Sequence, residues 1–355
     1  MMKIAFFDAK PYDRQFFDEA NRDFGFEIKY FEPHLTADTA ALTRGFEVVC
    51  VFVNDQVDDK VIDILVNNGV KMLALRCAGY NNVNLYAAHE RLAVARVPAY
   101  SPYAVAEHAV ALLMTLNRRI HRAYYRVRDN NFSINGLLGF DIHGKTVGVV
   151  GTGKIGKIFA TIMKGFGARL LLHDHFHDEA FATENGAAYA TLDDIYREAD
   201  IISLHCPLTP ETHYMINGTA LAKMKPGVFI INTSRGHLIN TAELIDALKA
   251  GTVGGAALDV YEEESEYFFE DKSNTVVTDD LLARLTTFNN VLVTSHQAFF
   301  TREALTNIAQ TTLRNVDDFV HGRELVNGIC HQCDGKSPCP GKPPHTICRK
   351  TLKKT

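Results

Sequence analysis

Lys145-Thr146-Val147-Gly148-Val149-Val150 reads as a buried strand. Gly151-Thr152-Gly153-Lys154-Ile155-Gly156 follows directly, ahead of a helical stretch over 157–166. A strand, a G-x-G-x-x-G turn and a helix in that order commit this part of the chain to a βαβ unit that cradles phosphate. Gly151 permits the tight turn, Gly153 lets the backbone approach a pyrophosphate, and Gly156 lets helix and strand pack closely. The helix start offers unbonded N–H groups and a partial positive charge to the phosphates. A second strand over 169–173 ends at Asp174, 18 residues after Gly156. A carboxylate there accepts hydrogen bonds from ribose hydroxyls and repels a 2′-phosphate. His175, Phe176 and His177 come next, with no arginine to hold that phosphate. The pattern points to NAD rather than NADP.

The alternation extends in both directions. Strand-like runs near Thr146, Arg169, Ile201, Val228, Gly255 and Val291 supply the six strands of a dinucleotide-binding fold. Earlier candidates at 3–7, 48–53, 72–75 and 93–97 alternate with helical stretches such as 59–67, as in a smaller parallel α/β unit. Pro98-Ala99-Tyr100-Ser101-Pro102 breaks the pattern and reads as a hinge. A long helix is expected from Pro102, capped by Ser101, to about Arg119. A last helix over 302–320 is expected to return to the first unit. The expected fold is α/β, with two Rossmann-like or flavodoxin-like domains on parallel sheets. The substrate domain is discontinuous, residues 1–100 with 300–330, and the NAD-binding domain covers 101–299.

Of 355 residues, 46% are hydrophobic and 22% charged, enough for two buried cores. The net charge of −5 leaves no basic excess for nucleic acid. No apolar run approaches the ~20 residues that span a bilayer, and Met1-Met2-Lys3-Ile4 enters a strand without a signal-peptide layout. Cys50, Cys77 and Cys206 are scattered, as reduced small apolar residues are. The expectation is a cytoplasmic protein with neither membrane nor nucleic-acid partners. Arg118, Arg122 and Arg126, spaced i, i+4 and i+8, form a basic helical stripe, read as a solvated or subunit-facing surface.

Arg235, Glu264 and His296 each sit just past an apolar run: Val228-Phe229-Ile230-Ile231, Gly255-Ala256-Ala257-Leu258 and Val291-Leu292-Val293. Residues past the strand ends of a parallel sheet converge on one crevice. A guanidinium holds a carboxylate by a two-point fork, an imidazole exchanges a proton near neutral pH, and a carboxylate beside it holds the ring. Together with a bound hydride donor, that set suits reduction of a 2-keto acid. The acidic run Glu262-Glu263-Glu264-Ser265-Glu266 leaves the register open, with Glu262 or Glu263 as alternative partners for the histidine.

Residues 3–329 resemble the D-2-hydroxyacid dehydrogenases, and within them the fermentative D-lactate branch. The resemblance rests on an ordered series. It comprises Leu75-Arg76-Cys77-Ala78-Gly79-Tyr80-Asn81-Asn82-Val83, Pro98-Ala99-Tyr100-Ser101-Pro102, Ser203-Leu204-His205-Cys206-Pro207-Leu208-Thr209, Asn232-Thr233-Ser234-Arg235-Gly236, Leu258-Asp259-Val260-Tyr261-Glu262-Glu263-Glu264 and His296-Gln297-Ala298-Phe299. It implies NAD-dependent, stereospecific reduction of pyruvate to D-lactate. Arg235 is then the substrate-binding arginine, His296 the proton donor and Glu264 the partner acid of the histidine. Arg76, Cys77, Ala78 and Gly79 form the loop whose backbone N–H groups hold the substrate carboxylate, and Tyr100 lines the pocket. On the cofactor side, Lys154 and Ile155 join the three glycines near the pyrophosphate, and Asp174 meets the ribose. Cys206 and Pro207 lie beside the adenosine with Thr212 nearby. Thr233 and Arg235 flank the nicotinamide, with Ser234 in the same site, and Asp259 lies near the carboxamide or orients Arg235. No metal is implied. The partners implied are a small 2-keto or 2-hydroxy acid and further copies of the chain, as homodimer or homotetramer. The alternatives are a dehydrogenase for another 2-keto acid (2-ketoisocaproate, glyoxylate or hydroxypyruvate) or a non-catalytic NAD-sensing interaction protein.

The resemblance stops near Leu325-Val326-Asn327. Beyond it Cys330, Cys333, Cys339 and Cys348 are spaced C-x2-C-x5-C-x8-C among Pro and Lys, with few aliphatics. This composition favours a disordered appendage over 331–355 rather than a zinc knot.

Overall fold

Short aliphatic runs near the start of the chain pair in parallel. In a computed structural model, which describes residues 2–264 and 267–331, they form β1 (Lys3–Phe6), β2 (Glu27–Tyr30), β3 (Val48–Val51), β4 (Met72–Leu75) and β5 (Ala93–Ala95). The connections carry α1 (Pro11–Asn21), α2 (Asp59–Asn67) and α3 (Leu85–Ala88). The order β2-β1-β3-β4-β5 is the flavodoxin-like one. Every residue of β3 and β4 is buried, so these central strands are continuous apolar runs. Strand β2 was not among the sequence candidates. It is a four-residue edge on which exposed Glu27 and Lys29 alternate with half-buried Ile28 and Tyr30, so it lacks an apolar run.

The second unit, Pro102–Phe300, begins with α4 (Pro102–Arg118) and α5 (Ile120–Arg128). Then come β6 (Thr146–Val150), α6 (Lys154–Gly165), β7 (Arg169–His173), α7 (Glu179–Asn185), β8 (Ala188–Tyr189), α8 (Leu192–Glu198) and β9 (Ile201–Leu204). The half after that carries α9 (Gly218–Lys223), β10 (Val228–Asn232), α10 (Thr241–Ala250), β11 (Val253–Leu258), α11 (Asp280–Thr287) and β12 (Val291–Val293). Its sheet is parallel, in the order β12-β11-β10-β9-β6-β7-β8. The strand order reverses between β6 and β9, and ligands of such sheets bind at that reversal. The sheet has seven strands rather than the six expected, because β8 is a two-residue edge with no hydrophobic period to read. Both faces are covered. Val147, Val149, Leu170, Leu172 and Ile231 pack with Leu113, Phe159 and Met163. Val150, Leu171, Ile202, Leu204 and Ile230 pack with Ile195, Leu221 and Leu244 on the other face. That division is the period-two alternation of a strand.

Helix α4 stops at Arg118 because Arg119 adopts a left-handed backbone, with φ of 50°. Arg118 therefore belongs to one helix and Arg122 and Arg126 to the next. The expectation of one continuous arginine stripe is corrected, and Arg126 instead donates to the Asn135 carbonyl at 2.7 Å.

The described residues from Thr301 to 331 rejoin those up to Ser101 in the first unit. There α12 (Arg302–Val320), capped by Thr301, packs on α1 and β4. Past it the chain runs along β5, with Arg96 N–H to the Asn327 carbonyl at 3.1 Å and Ile329 N–H to the Val94 carbonyl at 2.8 Å. The fold is thus the expected α/β class, on two parallel sheets with a discontinuous first unit. The tail expected to be disordered lies, from residue 332, outside the described residues. Among those described, no helix is long and apolar enough to cross a membrane.

Candidate active site

Strands β10, β11 and β12 are neighbours, with Asn232 opposite Leu258 and Leu258 opposite Val293. The ladder continues past their ends. Asp259 N–H bonds the Asn232 carbonyl at 2.9 Å, Thr294 N–H the Leu258 carbonyl at 2.9 Å, and His296 N–H the Asp259 carbonyl at 2.8 Å. Arg235, Glu264 and His296 thus leave the same sheet edge. His296 Nδ1 lies 2.9 Å from Glu264 Oε1, and the side chains are 24% and 27% exposed. That pairing resolves the acidic run. Glu262 is engaged elsewhere, accepting from Tyr214 Oη at 2.5 Å and from Thr241 N–H at 2.7 Å, and Glu263 is exposed. With Nδ1 on the carboxylate, Nε2 of His296 has no hydrogen-bond partner among the described residues.

The loop under His296 is fixed by Asp259, which is fully buried. Its Oδ1 accepts from Thr294 Oγ1 at 2.6 Å and Gln297 N–H at 2.9 Å, and its Oδ2 from Ala298 N–H at 2.8 Å. His108 Nε2, from α4, lies 3.3 Å from Asp259 Oδ1. Burial pushes the Asp259 carboxyl up, but the bonds from His108, Thr294 and Ala298 prevail and hold it below the usual carboxylate range. Among the described residues Asp259 makes no bond to Arg235, so the expectation that it orients the arginine is replaced by a role in holding the histidine loop. Arg235 Nη1 donates instead to the Ser234 carbonyl at 2.7 Å. Next to it, a Cβ added at Gly236 would fall 2.1 Å from the Tyr261 carbonyl. Only glycine lets the arginine loop pass this close to the loop that leads to Glu264. Spacing did not reveal His108, Thr294 or Gly236, since their roles depend on tertiary neighbours.

Along the same carboxyl edge of the sheet, past β6, the glycine turn is built for close approach. Gly151 has φ of 94°, and a Cβ there would sit 2.5 Å from the Cys206 nitrogen. A Cβ at Gly156 would sit 1.9 Å from the Gly151 carbonyl oxygen. Gly153 meets nothing within 4 Å and caps α6 without a side-chain bond. Lys154 and Ile155 open that helix, so its first N–H groups face open space beside Gly153. Asp174 follows β7. Its Oδ2 accepts from Thr152 N–H at 2.6 Å and its Oδ1 from Phe176 N–H at 3.1 Å. Burial opposes ionisation, yet the Phe176 and Thr152 bonds hold its pKa below the usual range, leaving a carboxylate with spare lone pairs. Cys206 is buried, which pushes its thiol up to about 11, and its carbonyl accepts from Ser234 Oγ at 2.6 Å. Thr212 Oγ1 is turned into its own loop, onto the Pro207 carbonyl at 2.8 Å. Among the described residues Thr233 Oγ1 is buried with no hydrogen-bond partner, an orphan that calls for a ligand. The open cradle at Gly153 and the orphan hydroxyl fit a dinucleotide.

The remaining candidates lie in the first unit. Arg76, after β4, is 2% exposed. Its N–H bonds the Val51 carbonyl at 3.1 Å, and Nη2 donates to the Asp8 carbonyl at 2.8 Å. Cys77 is buried. Among the described residues, no acceptor is found for the N–H groups of Ala78 and Gly79. The Tyr100 carbonyl accepts from Asn307 at 2.7 Å.

The family described as D-isomer specific 2-hydroxyacid dehydrogenase, NAD binding domain, matches residues 110–298. The chain is 53% identical over 329 residues to D-lactate dehydrogenase of Escherichia coli strain K12, covering 92% of this chain and all of that one. It superposes on the apo structure of D-lactate dehydrogenase from Escherichia coli with a TM-score of 0.86 at 50% identity, over 92% of this chain and all of the other. The NAD-complexed D-isomer specific 2-hydroxyacid dehydrogenase of Lactobacillus delbrueckii ssp. bulgaricus gives 0.79 at 32% identity, again over 92% and 100%.

Proposed function

The chain belongs to the D-isomer specific 2-hydroxyacid dehydrogenases, and on that footing we propose that it is a D-lactate dehydrogenase, reducing pyruvate to D-lactate. The observation that carries this reading is the His296–Glu264 pair at the edge shared with Arg235, with Nε2 of the histidine open. NADH supplies the hydride when bound. His296 donates a proton from Nε2 to the substrate's carbonyl oxygen, where negative charge grows. Glu264 holds Nδ1, and so aims the ring and stabilises its charged form. Arg235 offsets the charge on the oxygen and grips the substrate carboxylate, which fixes the face presented for reduction.

Residues 1–100 together with 300–330 are assigned to substrate binding, and residues 101–299 to NAD. Cys77, Ala78 and Gly79 supply backbone donors to the carboxylate, and Tyr100 lines the pocket. Arg76 has both its N–H and its guanidinium engaged internally, so its part is to set that loop from below. Gly151, Gly153, Lys154, Ile155 and Gly156 hold the pyrophosphate, and Asp174 the ribose. Cys206, Pro207 and Thr212 border the adenosine, and Thr233, Ser234 and Arg235 the nicotinamide.

Around α5, Tyr124, Tyr125, Phe132, Ile134 and Leu138 are exposed, the last to 90%. Such a patch supports a second copy as partner, in a homodimer or homotetramer. Buried Cys50 and Cys206, outside any disulfide, support a reducing, cytoplasmic setting.

The test is NADH oxidation with pyruvate, 2-ketobutyrate, 2-ketoisocaproate, glyoxylate and hydroxypyruvate, followed by chiral analysis of the product. Highest kcat/KM on pyruvate, with D-lactate formed, is the expected result. Preference for a larger or shorter acid overturns the substrate assignment, and no oxidation with any of the five overturns the activity.

A further inference from the structure

His89, Cys330 and His331 lie close together in the first unit, far apart in sequence. His89 follows α3 directly. Cys330 and His331 follow the stretch pinned along β5, where Gly328 bridges Ala95 and Ile329 bonds Val94. Both backbones are therefore anchored to the same part of the sheet. One ligand atom from each of the three residues lies within 4.8 Å of the others. Cys330 Sγ is 3.6 Å from His89 Nδ1. Tetrahedral zinc with bonds of about 2.3 Å to sulfur and 2.0–2.1 Å to nitrogen sets those two atoms about 3.5 Å apart.

A second observation points the same way. Among the described residues His331 Nδ1 is buried with no hydrogen-bond partner, and buried polar atoms without partners are rare. The His331 ring is held in place, 4.3 Å from the Tyr86 ring and 4.5 Å edge-on from His89. The Glu90 carboxylate lies 3.9 Å from His89 Nε2, on the ring edge away from the cysteine. At that distance the carboxylate makes an ion-pair contact with the ring and no hydrogen bond.

From this we infer that His89, Cys330 and His331 form a zinc site, distinct from the catalytic residues. One thiolate and two imidazoles select a borderline-soft divalent ion over magnesium or calcium. Binding displaces the thiol proton to solvent, and no oxidation or reduction is involved. The site ties the last pinned residues of the chain to the α3 turn, and its three protein ligands leave the fourth tetrahedral position to solvent.

The test uses the full chain, stripped with chelator and titrated with Co2+, then with Zn2+ in competition. The expected result is one tightly held Co2+ per chain, with tetrahedral d–d bands and a sulfur-to-cobalt charge-transfer band. His89→Ala weakens binding roughly tenfold or more, and Cys330→Ser abolishes the charge-transfer band. Pyruvate reduction by the His89→Ala protein, or its circular dichroism if the enzyme is inactive, confirms that the fold survives. Octahedral bands, or binding unchanged in His89→Ala, would overturn the inference, the latter by placing the metal on the cysteines of the tail alone.

Discussion

Two arginines follow strands of similar sequence character and have opposite fates. Arg76 comes directly after β4 and Arg235 three residues after β10. Arg76 is enclosed, its guanidinium 4.4 Å from the Phe6 ring centre and 4.8 Å from that of Phe52, with Nε 3.4 Å from Asp13. Asp8 and Asp55 share its surroundings. Arg235 is half-buried and bonds only its neighbour's carbonyl, among the described residues. A charge at a strand end is a candidate for chemistry when it stays within reach of solvent and of a ligand. When it is enclosed by buried carboxylates and aromatic rings, the charge belongs to the fold.

The comparison breaks most visibly in paired substitutions. Arg76→Met leaves buried Asp13 and Asp55 without their cation, Asp8 keeping Lys10 at 2.9 Å, which costs about 3–5 kcal/mol. Arg235→Met is expected to stay within about 0.5 kcal/mol of wild type while lowering kcat/KM by roughly 10²–10³-fold. Urea unfolding beside steady-state kinetics measures both. An Arg76→Met protein as stable as wild type, or an Arg235→Met protein that unfolds early, would erase the distinction.

The acidic run offers a finer version. Glu264→Gln is expected to lower kcat roughly 10–100-fold, a share of what a general acid contributes, and to alter the pH profile of kcat. Glu262→Gln disturbs only the Tyr214 and Thr241 bonds and is expected to leave that profile in place. Equal losses in both variants would mean that the carboxylate acts through the loop and not through the imidazole.

At the cofactor end, Asp174→Ala is expected to move the NADH/NADPH ratio of catalytic efficiencies toward NADPH by roughly 10–100-fold, the value of one or two hydrogen bonds to a charged group. An unchanged ratio removes Asp174 as the selector.

The smallest expected effect separates the two units by pH. In the second unit His205, against Phe159 and Ser203, is held by burial down to about 3. Between the unfolded value near 6.5 and that figure, the unfolded state binds the extra proton, so stability falls as pH falls. In the first unit burial raises Asp55 to about 6. Between about 6 and the unfolded carboxylate range, the folded state holds the extra proton, so stability rises as pH falls. Each slope is at most about 1.4 kcal/mol per pH unit. Hydrogen exchange at pH 7 and pH 5 is expected to show the second unit losing protection relative to the first. Parallel loss in both would contradict these assignments.

Local chemistry was legible in the sequence, and geometry that depends on distant neighbours was not. Gly151, Gly153, Gly156 and Asp174 could be read because strand, turn, helix and acid act within thirty residues. Strands β2 and β8 escaped because an edge strand needs no apolar run. The choice among Glu262, Glu263 and Glu264 was open until Tyr214 and Thr241 claimed the first. For Asp259 the resemblance implies a place near the carboxamide or beside Arg235, whereas its oxygens face residues 294–298 and His108. The spacing of the tail cysteines gave no sign of His89, which lies 241 residues before Cys330.

The central claim is that His296 acts on the substrate and not on the cofactor. The most direct measurement is single-turnover reduction of pyruvate by His296→Ala, alongside a fluorescence titration of NADH. The account predicts NADH affinity near wild type and a rate lower by roughly 10²–10⁴-fold. A turnover rate near wild type would contradict it.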